Sequence, residues 1–591
     1  MPNVTNVWLG SWYNNFTFVV FWPLIISLIG ALVNKIGGNI GLNKQELTVI
    51  ATMIHVSWIV PTFFGVIHVI TMLGTARQIP AFHRWNLEYA RNVNWMWGPD
   101  PFNDRLWESW MYGGPVPWAE WMPALLFHIV RLIPYYLSFA FLVSLFRRQF
   151  VDLEALPFPH AMAIARLIDM TYEKVDGKIK LFDNVWLWLG LLIGFLAIFP
   201  FWGWTLPGLG LTVPVFPNHI GIDLTHMALV PLGAMSFTFE AFWIGAALLV
   251  PAKTLFSYIV TSVAIHWIWW PMMVYLGYWE THSAGATDIF WVWRGWSGPM
   301  MQAWVRQWGA IVWVALGVGF GTVFYPIFVS FRREFVNNVK ALFGKAPAEV
   351  EEREPMKYRY MLLGYIVCLV AYITTWWWSS LGNLPMLFAF VWTIANGLFF
   401  VVRSRVAGEY GIAMDVVNCN VFAHNWDTVM REWWVADPVS PCYIKNLQAR
   451  FLVLRNDYPW FTTFTRAAPA HTLLEAYKIG SLEGVHSRYI FAGCVIAIII
   501  GIIVSLFTLL PMWCSFGALN LSAFNYTGAP HNYHQRGPTY ACITETGDYW
   551  RGGFIAPPVA TSWLQFIVGV ILASIIWVLH TRYPWFPINP G

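Results

Sequence analysis

Apolar stretches of about 20 residues recur along the whole chain, and a run of that length matches the ~30 Å hydrocarbon core of a bilayer when it is helical. No other feature limits the fold so tightly. Such runs lie near 16–33, 47–74, 122–146, 185–204, 224–250, 255–278, 304–331, 360–379, 385–402, 489–512 and 562–580. In lipid every backbone N–H and C=O must be satisfied within its own segment, so repeated spanning segments imply helices. The expected fold is therefore all-α: a polytopic integral membrane bundle of about eleven transmembrane helices, with re-entrant or broken helices among them. Composition agrees, with 58% hydrophobic and only 11% charged residues over 591 positions. Thirty-nine tryptophans suit the membrane interface. The small net charge of +4 gives no nucleic-acid signal. The residues before the first apolar run contain no basic cluster, so a cleaved signal peptide is not expected.

The distribution of charge orients the bundle. With the N-terminus outside, 26 of the 35 Lys and Arg residues fall on inner segments, chiefly 34–46, 147–184, 332–359 and 403–488. Cytoplasmic loops carry that excess in membrane proteins generally. The four Asn-x-Ser/Thr sequons, at Asn3, Asn15, Asn520 and Asn525, all fall on outer segments, as glycosylation requires. Two outer loops are expected at 76–121 and 513–561, and a cytoplasmic or re-entrant insert at 403–488. Cys514 and Cys542 share the second outer loop, where either a disulfide or two free thiols fits the residues. The localisation implied is the plasma membrane, with multiple passes.

Three ionisable groups lie within spans, where charge is costly and is retained for function or for pairing. Arg131 sits mid-span, with His128 one turn before it. Glu240 is central in the 224–250 run, after Pro231 and Gly233. An ion pair of Arg131 with Glu240 would be either a structural pair or a substrate and proton pathway. Arg306 lies near the outer surface, where snorkelling accounts for it. His55, His68, His128, His226 and His266 have no partner at helical spacing among themselves, so no metal and no cofactor are expected. Nucleotide-binding loops and hydrolase elbows are absent from the sequence, and the chain is not expected to be an enzyme.

Pro157 and Pro159 interrupt one inner segment (LPFPHA, 156–161), giving either a broken helix lining a cavity or an ordinary Pro-initiated cytoplasmic helix. A short similarity between 143–151 and 329–336, each with an Arg pair at an inward helix end, is read either as a parallel repeat or as a shared consequence of orientation.

Together, LPFPHA at 156–161, GAALLVPAKTLFS at 245–257, RSRVAGEYG at 403–411 and the run 466–501 resemble the oligopeptide transporter superfamily, in its prokaryotic branch. The closing stretch 583–591 resembles one after which relatives continue into further helices. The resemblance implies an ion-coupled secondary transporter for small solutes such as oligopeptides or metal chelates. Pro157, Pro159 and Glu409 are the cavity candidates it carries over. Alternatives are a membrane scaffold that binds partners through its aromatic-rich outer loops, and a membrane enzyme with a His-bound cofactor. The partners expected are the lipid bilayer, a small-molecule or peptide substrate, and a homo-oligomer or surface-layer contact, with no nucleic acid.

Overall fold

The computed structural model describes residues 14–36, 41–57, 102–193, 220–223, 236–239, 251–269, 317–345, 348–379, 386–410, 470–517 and 559–583, with isolated positions between and beyond them. Its longer helices are α1 (Asn14–Ile36), α2 (Lys44–Ser57), α3 (Asp104–Tyr112), α4 (Trp118–Ser144), α5 (Pro159–Tyr172), α6 (Ala252–Val263), α7 (Gly317–Ser330), α8 (Arg332–Leu342), α9 (Tyr358–Ser379), α10 (Met386–Tyr410), α11 (Ala470–Leu482), α12 (Ser487–Phe516) and α13 (Val559–Arg582). Two short antiparallel pairs complete it: β1 (Lys174–Val175) with β2 (Lys178–Ile179), and β3 (Ile220–Asp223) with β4 (Ser236–Phe239). Asp176 and Gly177 turn the first hairpin with positive φ at both positions, the conformation an Asp-Gly pair favours.

Among the described residues four helices are long and apolar enough to cross a membrane: α4, α9, the Ser487–Thr508 part of α12 and the Trp563–Arg582 part of α13. Each has at least 20 residues, or about 30 Å at 1.5 Å per residue. The chain divides into two units. The first contains α1 to α5 and α8 to α12. Here α9 and α10 both lie against α4, and glycines permit the approach: a Cβ on Gly364 of α9 would meet the Phe141 ring at 2.7 Å, and one on Gly397 of α10 would meet Leu142 at 2.8 Å. The second contains α6, α7, α13 and the β3–β4 pair. In it α7 and α13 touch through Gly317 and Gly569, where a Cβ on either would run into the backbone of the other helix. Small residues at such a crossing are how helices pack in lipid, where close van der Waals approach replaces the hydrophobic drive.

Several expected boundaries move. The insert expected at 403–488 starts as helix, since α10 continues to Tyr410 and carries Arg403, Arg405 and Glu409. The loop expected from 513 begins later, because α12 extends to Phe516. Cys514 is thus a buried helical residue with a free thiol, and its expected partner Cys542 lies outside the described residues. The 224–250 run is not one continuous helix, since Ser236–Phe239 pairs as a strand with Ile220–Asp223. Glu240, the residue after that strand, lies outside the described residues. Asn15 stands in the first turn of α1, while Asn3, Asn520 and Asn525 lie outside them. The 76–121 loop contains a helix, α3, started by Asn103, whose side chain accepts from the Leu106 N–H. Its Trp107 and Trp110 are fully buried against Trp121 of α4. Those two rings pack inward, while Trp95, Phe102 and Tyr112 of the same loop are exposed.

Segments assigned to one side by charge do meet. Lys44 bridges Asp169 and Glu483, at 2.7 Å each. Arg147 binds Glu354, Arg148 binds Glu334, and His486 reaches the Glu352 carbonyl. On the opposite assignment, the Gly114 N–H donates to the Cys514 carbonyl at 2.7 Å.

Candidate functional site: a buried histidine–carboxylate core

The centre of the first unit is α11, whose residues from Ala470 to Tyr477 are all buried. Its described part has 13 residues, about 20 Å of helix. It is walled by α2, α4, α5, α10 and α12. Its C-terminus closes in a glycine cap: Gly484 has φ +70°, and the Val485 N–H donates to the Gly480 carbonyl at 2.8 Å. Gly480 also lets α12 approach, since a Cβ there would meet Ile490 at 2.7 Å.

Glu475 of α11 is held from two sides. Its Oε2 lies 2.7 Å from Nε2 of His55 on α2, and its Oε1 lies 3.1 Å from Nδ1 of His160 on α5. All three side chains are almost wholly buried. His160 stands in the first turn of α5, beside the positive end of that helix dipole. Burial alone would raise the Glu475 carboxyl, but the hydrogen bonds and charge of His160 and His55 outweigh it and hold the group below the usual carboxylate range. His471, one turn before Glu475 and on the same helix face, is buried and pushed down to about 3 by desolvation, against the pull of Glu475. It is therefore a neutral imidazole.

Beside this cluster the chain breaks. After Arg147 the helical path widens into a π-helical turn, Arg148–Leu153. Ala155 (φ 49°) and Phe158 (φ 44°) then take left-handed conformations, and α5 begins at Pro159. Such conformations cost a non-glycine residue about 1–2 kcal/mol each, so surrounding contacts must impose them. The contacts are visible. The Phe158 N–H donates to the Gly408 carbonyl at 2.8 Å, and the fully buried Phe158 ring covers Gly408. A Cβ on Gly408 would meet that ring at 2.9 Å and Leu156 at 3.0 Å. Gly408→Val is accordingly expected to force this crossing apart and to lower stability by about 1–3 kcal/mol, read as a lower midpoint of thermal unfolding.

A second charged cluster pins the same crossing. Nε of Arg405 donates to Glu154 at 2.9 Å, and its Nη2 reaches Glu409 at 3.1 Å. Gln149 donates to the other Glu154 oxygen at 2.7 Å. Burial raises the Glu154 carboxyl, and Arg405 opposes it.

Of the expected site residues, Pro157, Pro159 and Glu409 do converge here: Pro159 starts α5, Pro157 is half-buried in the break, and Glu409 pairs with Arg405. The backbone breaks at Ala155–Phe158 and a helix starts at Pro159. Arg131 and His128 are buried within α4, but the Glu240 side of their expected interaction lies outside the described residues. The residues the structure gathers instead are His55, His160, His471 and Glu475. His471 and Glu475 are spaced i, i+4 inside the run at 466–501, and His55 lies in an apolar span, so the components were visible while their meeting was not. Among the described residues no three His, Cys, Asp or Glu side chains are arranged to hold a metal ion.

A mostly helical architecture with four helices able to cross a bilayer, built around a buried ionised core, defines the class: a helical membrane protein. Within that class the chain belongs to a family of unknown function, DUF6785, whose model matches residues 3–591. No curated protein matches the chain.

Proposed function

We propose that this protein is an ion-coupled secondary transporter of the plasma membrane, moving small solutes such as oligopeptides or metal chelates. The observation that carries the reading is Glu475, a buried carboxylate held by two imidazoles at the centre of the first unit, beside a strained break in the chain. Ionisable groups inside a membrane bundle are expensive and mark solute or ion pathways. Irregular backbone at membrane depth is tolerated where it is enclosed by protein or lines a cavity, and discontinuous helices are a recurrent way of building transport sites. The resemblance of 156–161, 403–411 and 466–501 to oligopeptide transporters adds to this, because those segments supply His160, Arg405, Glu409, His471 and Glu475. We read the chain as having about eleven spans with the N-terminus outside, on the distribution of its Lys and Arg residues.

The test is uptake of labelled short peptides and metal chelates into proteoliposomes containing the full chain. Accumulation is expected under an imposed proton or sodium gradient and not without one. Absence of uptake of either solute class under both gradients would overturn the reading.

A further inference from the structure

We propose that the His55–Glu475–His160 bridge is a proton-binding site that exchanges one proton with water, and that the bound proton clasps α2 and α5 onto α11. The proposal extends the transport reading by naming the ion and its site, but the clasp itself stands on geometry. One carboxylate joins three elements that are far apart in sequence, through contacts of 2.7 and 3.1 Å. For both contacts to be hydrogen bonds, His55 carries its proton on Nε2 and His160 on Nδ1, each donating to one oxygen. That state has two neutral imidazoles and one carboxylate, a net charge of −1 in a dry interior. Uptake of one proton from water onto the second nitrogen of either ring makes an imidazolium and leaves the bridge electrically neutral. Nδ1 of His55 is buried with no hydrogen-bond partner and is a bare nitrogen available for that proton. Neutralisation removes the cost of an uncompensated buried charge and turns one hydrogen bond into a charge-assisted ion pair. Loss of the proton restores the −1 charge and weakens the hold on both neighbouring helices.

The surroundings set the bridge apart from the other charged groups. Glu475 stays ionised, because its carboxyl is held low by both rings. A carboxyl with a depressed value loses its stabilising effect only in strong acid, so it does not set the behaviour near neutrality. Imidazole is the side chain whose charge ordinarily changes between pH 5 and 8. From α11 itself the bridge faces His471, which is neutral. From α10 comes Arg403, whose charge acts on His471, while Arg405 on that helix is bound to Glu154 and Glu409. From α4 the polar contact is the Ser144 hydroxyl on Tyr477, and from α12 it is the Cys494 thiol on the Thr52 carbonyl. Farther along α11, Glu483 is held by Lys44. The charged groups packed around α11 from Glu154, Arg405, Glu409, Lys44 and Glu483 are thus bound to one another, leaving the two imidazoles as the pair on the carboxylate.

The test is amide hydrogen exchange of the full chain in nanodiscs, at pH 5.5 and pH 8.5, corrected for the intrinsic pH dependence of exchange. Protection of the α11 amides is expected to fall about tenfold or more at the higher pH. Glu475→Gln is expected to abolish that difference, since an amide cannot hold an imidazolium. No pH difference in the wild-type protein, or an unchanged difference in Glu475→Gln, would overturn the proposal. Should Glu475→Gln fail to fold, the double variant His55→Gln with His160→Gln serves the same purpose, and the wild-type comparison alone remains decisive. A protein with intact pH-dependent protection but no gradient-driven uptake would refute the transport reading and leave the proton site standing. Uptake without pH-dependent protection would do the reverse.

Discussion

Arg147→Ala is expected to cost the folded protein about 3–5 kcal/mol, the loss seen when one partner of a buried ion pair is removed. Two bonds, at 2.9 and 3.0 Å, tie Nε and Nη2 of Arg147 to the two oxygens of Glu354, and a third at 2.6 Å reaches Asp152. Glu354 has no exposed side-chain surface. Burial already raises its carboxyl, and the adjacent Arg147 charge is the main opposing influence. Without the guanidinium, Glu354 must ionise unpaired, take up a proton or pull water inward, and each course is unfavourable. The residues sit at the ends of α4 and α9, so the loss acts on the pairing of two spans. Denaturant or thermal unfolding of the purified protein measures it. Replacing both partners, as Arg147→Met with Glu354→Leu, is expected to recover much of the stability, because neither charge is then buried alone. Single and double variants of equal, wild-type stability would contradict the assignment.

Sequence reasoning reached the helices because the signal for each is local. An apolar run such as 360–379 has no competing explanation, and α9 occupies it almost residue for residue. Ends were harder to read. Charge marks 403 as the exit from a span, and α10 continues as helix about two turns further, to Tyr410, with Arg405 finding Glu154 and Glu409 as partners inside the protein. Cys514 was assigned to a loop for the complementary reason: nothing in the sequence announces that α12 persists past Pro511. The site was legible in pieces. Pro157, Pro159 and Glu409 were chosen on a resemblance, and they fall together at the break before α5. Glu475 was passed over, although the spacing His471 to Glu475 was there to see. A carboxylate outside a long apolar run reads as a solvated loop residue until its neighbours are known. Those neighbours, His55 and His160, are 420 and 315 positions away in sequence, and no periodicity encodes a contact of that range.

Glu475→Gln is expected to reduce gradient-driven uptake to the level of protein-free liposomes while leaving solute exchange at equal pH in place. Gln preserves the length of Glu and retains an oxygen to accept from one imidazole, so α11 keeps its packing against α2 and α5. It lacks the negative charge that makes a second proton on the histidine pair favourable, and without a site that gains and loses a proton the gradient has nothing to act on. Passive exchange needs only the alternation of conformations, which a neutral bridge permits. The paired measurement separates coupling from folding: a collapsed protein loses both activities, an uncoupled one loses accumulation alone. Leaving His55 and His160 intact makes the comparison stricter, because any pH sensitivity that depended on the imidazoles without the carboxylate would survive. Full gradient-driven accumulation by Glu475→Gln would remove Glu475 from the coupling path and return the buried bridge to a packing role.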